Sequence, residues 1–184
     1  SMAAAALPDG WPVISIAQAN AAIAASDSPL QLSDGVVDGV SMKIYANAPP
    51  TIRTVLELAE PQFGARDYLV YEDERVTYAA FARAVEHFAK LLQEQFGIKK
   101  GDRIAVIMRN FPQWPVPFFA ALSIGAIATP MNSWWTADEL EYGLKDCGAK
   151  IAVIDPQIHD RIKDKVAGLT ELEAIIIARG GDKV

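Results

Sequence analysis

Apolar residues recur with two different periods along this chain, and the change of period marks its organisation. Tyr78, Phe81, Ala82, Val85, Phe88, Ala89, Leu92 and Phe96 fall three or four apart, the spacing of one helix face, with Gly97 placed just past the end. From there short, wholly apolar runs alternate with helical patterns. Arg103 to Met108 predicts a strand, Pro115 to Ile124 an apolar helix stopped at Gly125, and Ala126 to Met131 the next strand. Thr136 and Glu139 have capping-box spacing ahead of a helix through Leu140, Leu144 and Cys147, stopped by Gly148. Ile151 to Ile154 predicts a third strand. Ile158, Ile162, Val166 and Leu169 predict one helix, and Ala174 to Ala178 a fourth strand. Strands that are apolar throughout are expected where helices cover both faces of a sheet. The fold class is therefore α/β, a mostly parallel sheet flanked by helices with right-handed crossovers.

Ahead of this repeat, Thr51 should open a helix with Ile52, Val55, Leu56 and Ala59 on one face, ended by Pro61. Tyr68 to Tyr71 and Val76 to Tyr78, separated by the polar Glu72-Asp73-Glu74-Arg75, predict a β-hairpin with a four-residue turn. The first fifty residues read differently: rich in Ala, Ser, Asp and Pro, and nearly free of basic residues. One helix is expected there, with Ser15 and Gln18 at capping-box spacing and Ile14 as a staple residue. Residues 26–39 read as irregular, with a short strand at Met42 to Tyr45. Residues 1–48 are thus expected to be an N-terminal arm with one helix, and residues 49–184 a partial α/β domain.

Composition narrows the function classes. The 184 residues are 51% hydrophobic and 22% charged, with a net charge of −6, so the bulk of the chain folds and general nucleic-acid binding is disfavoured. Cys147 is the single cysteine, and His87 and His159 are the only histidines, which leaves no disulfide and very little for a transition-metal site. The longest uncharged stretch, Asn110 to Ala137, is broken by four prolines and a glycine, so it reads as a buried helix and strand, not a membrane span. The Ala3 to Leu7 run lacks the basic flank of a signal peptide, and the expected location is the cytoplasm.

Candidate chemistry is sparse. Neither G-x-G-x-x-G after a strand nor G-x-x-x-x-G-K-[ST] occurs. Ala121-Leu122-Ser123-Ile124-Gly125 resembles a nucleophile elbow, and the order Ser123, Asp138 or Asp155, His159 matches an α/β-hydrolase triad, which makes a small hydrolase using Ser123 an alternative. An elbow needs a strand before the serine, however, and a helical pattern precedes Ser123. His87 lies off the apolar stripe of its helix and reads as solvent-facing. Asp138 and Glu139 suit a helix N-terminus without catalysis, and Cys147 reads as a small core residue. Trp114, Trp134 and Trp135 fall near strand ends, where ligands of open α/β sheets collect, though large aromatics more often cover a core.

Three stretches between Pro49 and Asp155 carry a resemblance: Val76-Thr77-Tyr78-Ala79-Ala80-Phe81, then Gly101-Asp102-Arg103-Ile104-Ala105-Val106 with Asn110, then Leu122 to Asn132 (LSIGAIATPMN). In this order and spacing they resemble the N-terminal part of the adenylate-forming (AMP-binding) enzymes, nearest to bacterial acyl-CoA synthetases of the fatty-acid or aryl-acid kind. The resemblance implies a parent ligase that turns a carboxylate and ATP into an acyl-adenylate and then an acyl-CoA, with ATP, Mg and CoA as its cofactors. It also implies that the Ser/Thr/Gly-rich phosphate loop and the other catalytic motifs lie downstream, so this chain is expected to be a fragment truncated before that loop and inactive alone. No residue of it is carried over as catalytic, cofactor-binding or metal-binding. The remainder of the parent enzyme is the implied partner, and a non-enzymatic binding or interaction module that retains this subdomain is a further alternative. An apolar fraction of 51% without that partner predicts self-association, most simply as a two-fold dimer through the arm or the helix carrying Phe118 and Phe119.

Overall fold

The computed structural model describes residues 15–25 and 30–180, which divide at Pro50/Thr51 into two compact units. In the first unit, helix α1 (Ile16–Ala24) opens with the expected capping box: Gln18 N–H donates to Ser15 Oγ at 3.1 Å, and Ser15 N–H to Gln18 Oε1 at 2.8 Å. Ile14 lies outside the described residues. Strands β1 (Leu32–Val37) and β2 (Val40–Tyr45) then form an antiparallel ribbon with Val37 opposite Val40. This corrects the expectation of an irregular segment up to Gly39. Asp38 and Gly39 both take positive φ, 50° and 83°, the conformation whose twist suits a two-residue hairpin loop.

The second unit begins with α2 (Ile52–Phe63), capped by Thr51 Oγ1 accepting from Thr54 N–H at 3.1 Å. Pro61 does not end it. The proline sits in the last turn, where only the bond to the Glu57 carbonyl is forfeited, and the helix runs on to Phe63. No residue of α2 is fully buried: Leu56 packs against the core while Ile52, Val55 and Leu58 stay exposed. The hairpin of β3 (Asp67–Tyr71) and β4 (Glu74–Thr77) pairs Tyr71 with Glu74, so its loop has two residues and not the expected four. Glu72 adopts φ 50°, and Arg75 Nη1 donates to the carbonyls of Glu72 and Glu74 at 2.7 and 2.8 Å, which holds the tight turn.

Helix α3 (Tyr78–Glu94) follows directly, capped by Thr77. Strand β5 (Arg103–Ile107), α4 (Pro115–Ser123), β6 (Ile127–Pro130), α5 (Ala137–Cys147), β7 (Ala149–Ile154), α6 (Pro156–Ile162) and β8 (Ala174–Ile177) complete the repeat. The four strands form one parallel sheet in the order β6-β5-β7-β8. Alternate side chains of the central strands divide between two cores. Ile104, Val106, Ile151 and Val153 meet Phe81, Val85 and Leu92 of α3 and Ala120 and Ala121 of α4. Ala105, Ile107, Ala152 and Ile154 meet Leu140 and Leu144 of α5 and Ile158 and Ile162 of α6. The helix expected from Ile158 to Leu169 is shorter: α6 stops at Ile162, and a 3-10 turn at Val166–Gly168 carries Val166 and Leu169 onto the same core.

Candidate functional site

The motifs with the strongest sequence signal gather at the edge of the sheet where its strands begin. Gly101 N–H donates to the Gly125 carbonyl at 2.9 Å, which joins the turn before β5 to the turn before β6, and Gly125 takes φ 76° as α4 gives way to strand. Asp102 Oδ2 accepts from Lys99 N–H at 2.8 Å, and its Oδ1 pairs with Lys150 Nζ at 3.0 Å; the first of these, then the second, holds its carboxyl below the usual carboxylate range. Arg103 donates through Nε to the Cys147 carbonyl and through Nη2 to the Gly148 carbonyl, both at 2.8 Å, satisfying the acceptors that α5 leaves at its C-terminus. Each polar side chain here ties one element to another.

The opposite edge, where the strands end, is where ligands of open α/β sheets bind. Asp155 follows β7 and is the one charged residue fully buried among those described. Its Oδ1 accepts from Ile158 N–H at 3.0 Å as the cap of α6, and its Oδ2 accepts from Arg109 N–H at 3.1 Å, which fixes the end of β5 beside the end of β7. Arg109 Nε stands 3.7 Å from the same oxygen. The loop after β6 is braced by Arg161 Nη1, which donates to the carbonyls of Ser133 and Trp135 at 2.7 and 2.8 Å. Trp135 packs into the second core and Trp114 against the first, whereas Trp134 is 82% exposed. After β8, Arg179 at φ 58° spans Glu74 of the β3–β4 hairpin through both Nη atoms, at 2.7 and 3.3 Å, and reaches Gln113 Oε1 at 3.1 Å. Its guanidinium also lies over the rings of Tyr71 and Phe111, and Arg109 lies over Phe111 at 4.8 Å. No pattern along the sequence announces this cluster, because its partners stand 105, 66 and 46 residues apart.

The hydrolase triad does not assemble. Ser123 ends α4, four residues before β6 starts, and so belongs to the edge where strands begin, while Asp155 and His159 follow the end of β7. A strand of four to six residues, about 13–20 Å, separates the two edges. The Ser123 hydroxyl instead donates to the Phe119 carbonyl at 2.7 Å, one turn back in its own helix. Asp138 pairs with Lys165, and Glu139 accepts from Thr136 N–H at 2.8 Å in the expected capping box, the bond that lowers its pKa. His87 is exposed, and burial pushes the Cys147 thiol up. A groove of about 480 Å³ beside α3 is rimmed by Arg53, Glu57, Arg83 and Glu86, whose charges cancel. Among the described residues, no three His, Cys, Asp or Glu side chains gather to hold a metal ion, and the sequence contains no glycine-rich phosphate loop.

Comparison with known proteins supports the family that these motifs resemble. The family model described as AMP-binding enzyme matches residues 56–183. A long-chain-fatty-acid–CoA ligase of Salmonella typhimurium is 32% identical over 139 residues, 74% of this chain and 25% of the relative. Its counterpart in Haemophilus influenzae is 33% identical over 109 residues, 59% of this chain and 19% of the relative. Among solved structures, the N-terminal domain of FACL13 from Mycobacterium tuberculosis aligns with a TM-score of 0.64 at 26% identity, covering 70% of this chain and 33% of that one. The anthranilate–CoA ligase AuaEII, in complex with anthranoyl-AMP, shares the fold with a TM-score of 0.68 at 23% identity over 73% of this chain and 26% of that one. The chain spans about a quarter of the length of the Salmonella relative, and what it covers there is the N-terminal portion. By its motifs, its parallel sheet and the family model that matches 128 of its residues, the chain belongs to the AMP-binding enzyme family.

Proposed function

We infer that this chain is the first structural layer of an ATP-dependent acid–CoA ligase, an enzyme that converts a carboxylate and ATP to an acyl-adenylate and then transfers the acyl group to CoA. The single observation that carries the reading is the family match over residues 56–183, joined to relatives named as long-chain-fatty-acid–CoA ligases. Fatty acids are accordingly the proposed substrate class, and the cytoplasm the proposed location. ATP, Mg and CoA belong to the reaction, and we assign their binding to the three quarters of the relatives' length that lies beyond the matched region. The contribution of residues 51–180 is scaffolding: a parallel sheet, covered on both faces, whose ends are fixed by Asp155, Arg161 and Arg179. Activation of this kind depends on oriented donors around developing charge, and none is assigned here.

Pyrophosphate exchange with ATP, measured across fatty and aromatic acids, tests the proposal. The 184-residue chain alone should stay at background, and the chain joined to the rest of the family's length should exchange in an acid-dependent way. Acid-dependent exchange by the 184 residues alone would overturn the assignment of chemistry to the remainder. Lack of exchange in the extended protein, with the acids and conditions active for the Salmonella relative, would overturn the ligase reading.

A further inference from the structure

Burial is unevenly shared along the second unit. Every buried residue among those described lies between Phe81 and Leu169, and none lies between 51 and 80. Residues 51–77, which carry α2 and the β3–β4 hairpin, therefore rest on the first core through partly buried side chains alone: Leu56, Tyr68, Leu69 and Val76. The seam beneath α2 is incompletely filled. A groove of about 480 Å³ and a second of about 240 Å³ run between α2 and α3, and Leu56 and Glu60 line both. A side chain that faces a void forfeits the contacts it would make there.

This segment is fastened at two places. At its base, Tyr78 N–H donates to the Arg66 carbonyl and Ala79 N–H to the Gly64 carbonyl, both at 3.0 Å, and the Tyr68 ring stands 4.7 Å from that of Phe81. At the hairpin tip, Arg179 grips Glu74 through both Nη atoms, and Tyr71 meets Phe111 edge-on at 5.8 Å. Among the described residues, Arg179–Glu74 is the only ion pair between residues 51–77 and the remainder of the second unit. Arg179 keeps its grip at φ 58°, a conformation costly to a residue with a Cβ, and strain of that kind persists only where surrounding contacts outweigh it. We propose that residues 51–77 form a flap that opens as a unit while the four-stranded sheet stays folded, with Arg179 as its latch. Opening parts Glu74 from Arg179 and Tyr68 from Phe81, and it uncovers the aromatic side of the first core at Phe81 and Phe119, two residues that line the smaller groove. Local opening is expected where buried apolar contact is thin.

Hydrogen exchange on the 184-residue chain, followed by mass spectrometry, resolves the flap from the sheet. Relative to their intrinsic rates, amides of β3 and β4 should exchange at least about tenfold faster than those of Ile104 to Val106, which await unfolding of the entire unit. Arg179→Ala lies outside the flap and keeps a Cβ at φ 58°, so it alters neither the flap's intrinsic exchange rates nor the backbone cost. It removes a contact that the opened and the unfolded states both lack. Exchange of β3–β4 and of β5 should therefore rise by the same factor, about fivefold. Ile162→Val thins the second core, which flap opening leaves intact. It should speed β5 about fivefold and leave β3–β4 unchanged. Equal protection of β3–β4 and β5 in the unsubstituted chain, β3–β4 exchange unmoved by Arg179→Ala, or β3–β4 accelerated by Ile162→Val as much as β5 would each overturn the proposal.

Discussion

Asp155→Ala tests the reading of the strand ends most directly. The carboxylate is fully buried and accepts from two backbone donors that have no substitute: Ile158 N–H at 3.0 Å and Arg109 N–H at 3.1 Å. Losing the helix cap costs about 1 kcal/mol. Leaving the part-buried Arg109 amide without its acceptor costs about 1–3 kcal/mol more. The Arg109 side chain adds little, because its guanidinium is half exposed and Nε is 3.7 Å away. The sum is about 2–4 kcal/mol. With a urea m-value of about 2 kcal/mol/M, the unfolding midpoint should fall by about 1–2 M. Asp155→Asn keeps one acceptor oxygen but turns an amide donor toward the other N–H, so about half of that loss is expected. Arg109→Ala should shift the midpoint by under ~0.5 M, since the backbone of residue 109, and not its side chain, is the anchor. A fall of less than ~0.5 M for Asp155→Ala would show that water replaces both bonds and would refute the assignment of Asp155 as the tie between β5 and β7.

Further outcomes follow from single residues. Gly125→Ala should destabilise by about 1 kcal/mol or more in the same urea assay, because φ 76° disfavours a Cβ and that atom would stand 3.1 Å from Lys100 Cγ. Ser123→Ala should cost under ~1.5 kcal/mol, since it removes only the bond back to the Phe119 carbonyl, and a larger loss would mean the hydroxyl holds something else. Asp102, whose folded pKa is depressed by the Lys99 N–H and Lys150, contributes stability above its unfolded value near ~4 and loses it as pH falls through the lower folded value. The gap in thermal midpoint between wild type and Asp102→Asn should therefore be present at pH 7 and close toward pH 2; a gap that persists at pH 2 would deny the carboxylate that role.

Legibility in the sequence tracked the range of the interaction. Thr136-Glu139, Ser15-Gln18 and Gly125 act within a few residues of themselves, and the structure places all three as their spacing predicts. The α3 stripe was equally readable, since Phe81, Val85, Ala89 and Leu92 are its buried residues. The β1–β2 ribbon is harder to read, because Ser33, Asp34 and Gly35 look like loop, although Asp38-Gly39 between valines is a hairpin signal. Pro61 suggests a helix end that the structure does not have, because a proline in a last turn removes one bond and not the helix. Val166 and Leu169 keep a helical period that a 3-10 turn satisfies equally well. At the strand ends, Asp155 before Pro156 was readable as a helix cap, but its second partner and the Arg179–Glu74 span depend on chain segments that only the finished sheet brings together.

The strand order also decides how this protein must reach its fold. Strand β5 lies between β6 and β7, and its partners are about two dozen and about four dozen residues further along the chain. Zipping outward from a tight turn cannot make either pairing, because parallel neighbours need a whole crossover between them. Each pairing must first close a long loop, and the entropy of that closure precedes any reward from contact. Collapse of α3 and α4 onto the face of Ile104 and Val106 offers that reward before the sheet is complete. The amides of Ile104 to Val106, hydrogen-bonded on both sides and wholly buried, should consequently be the last to exchange with solvent, opening only when the entire second unit unfolds.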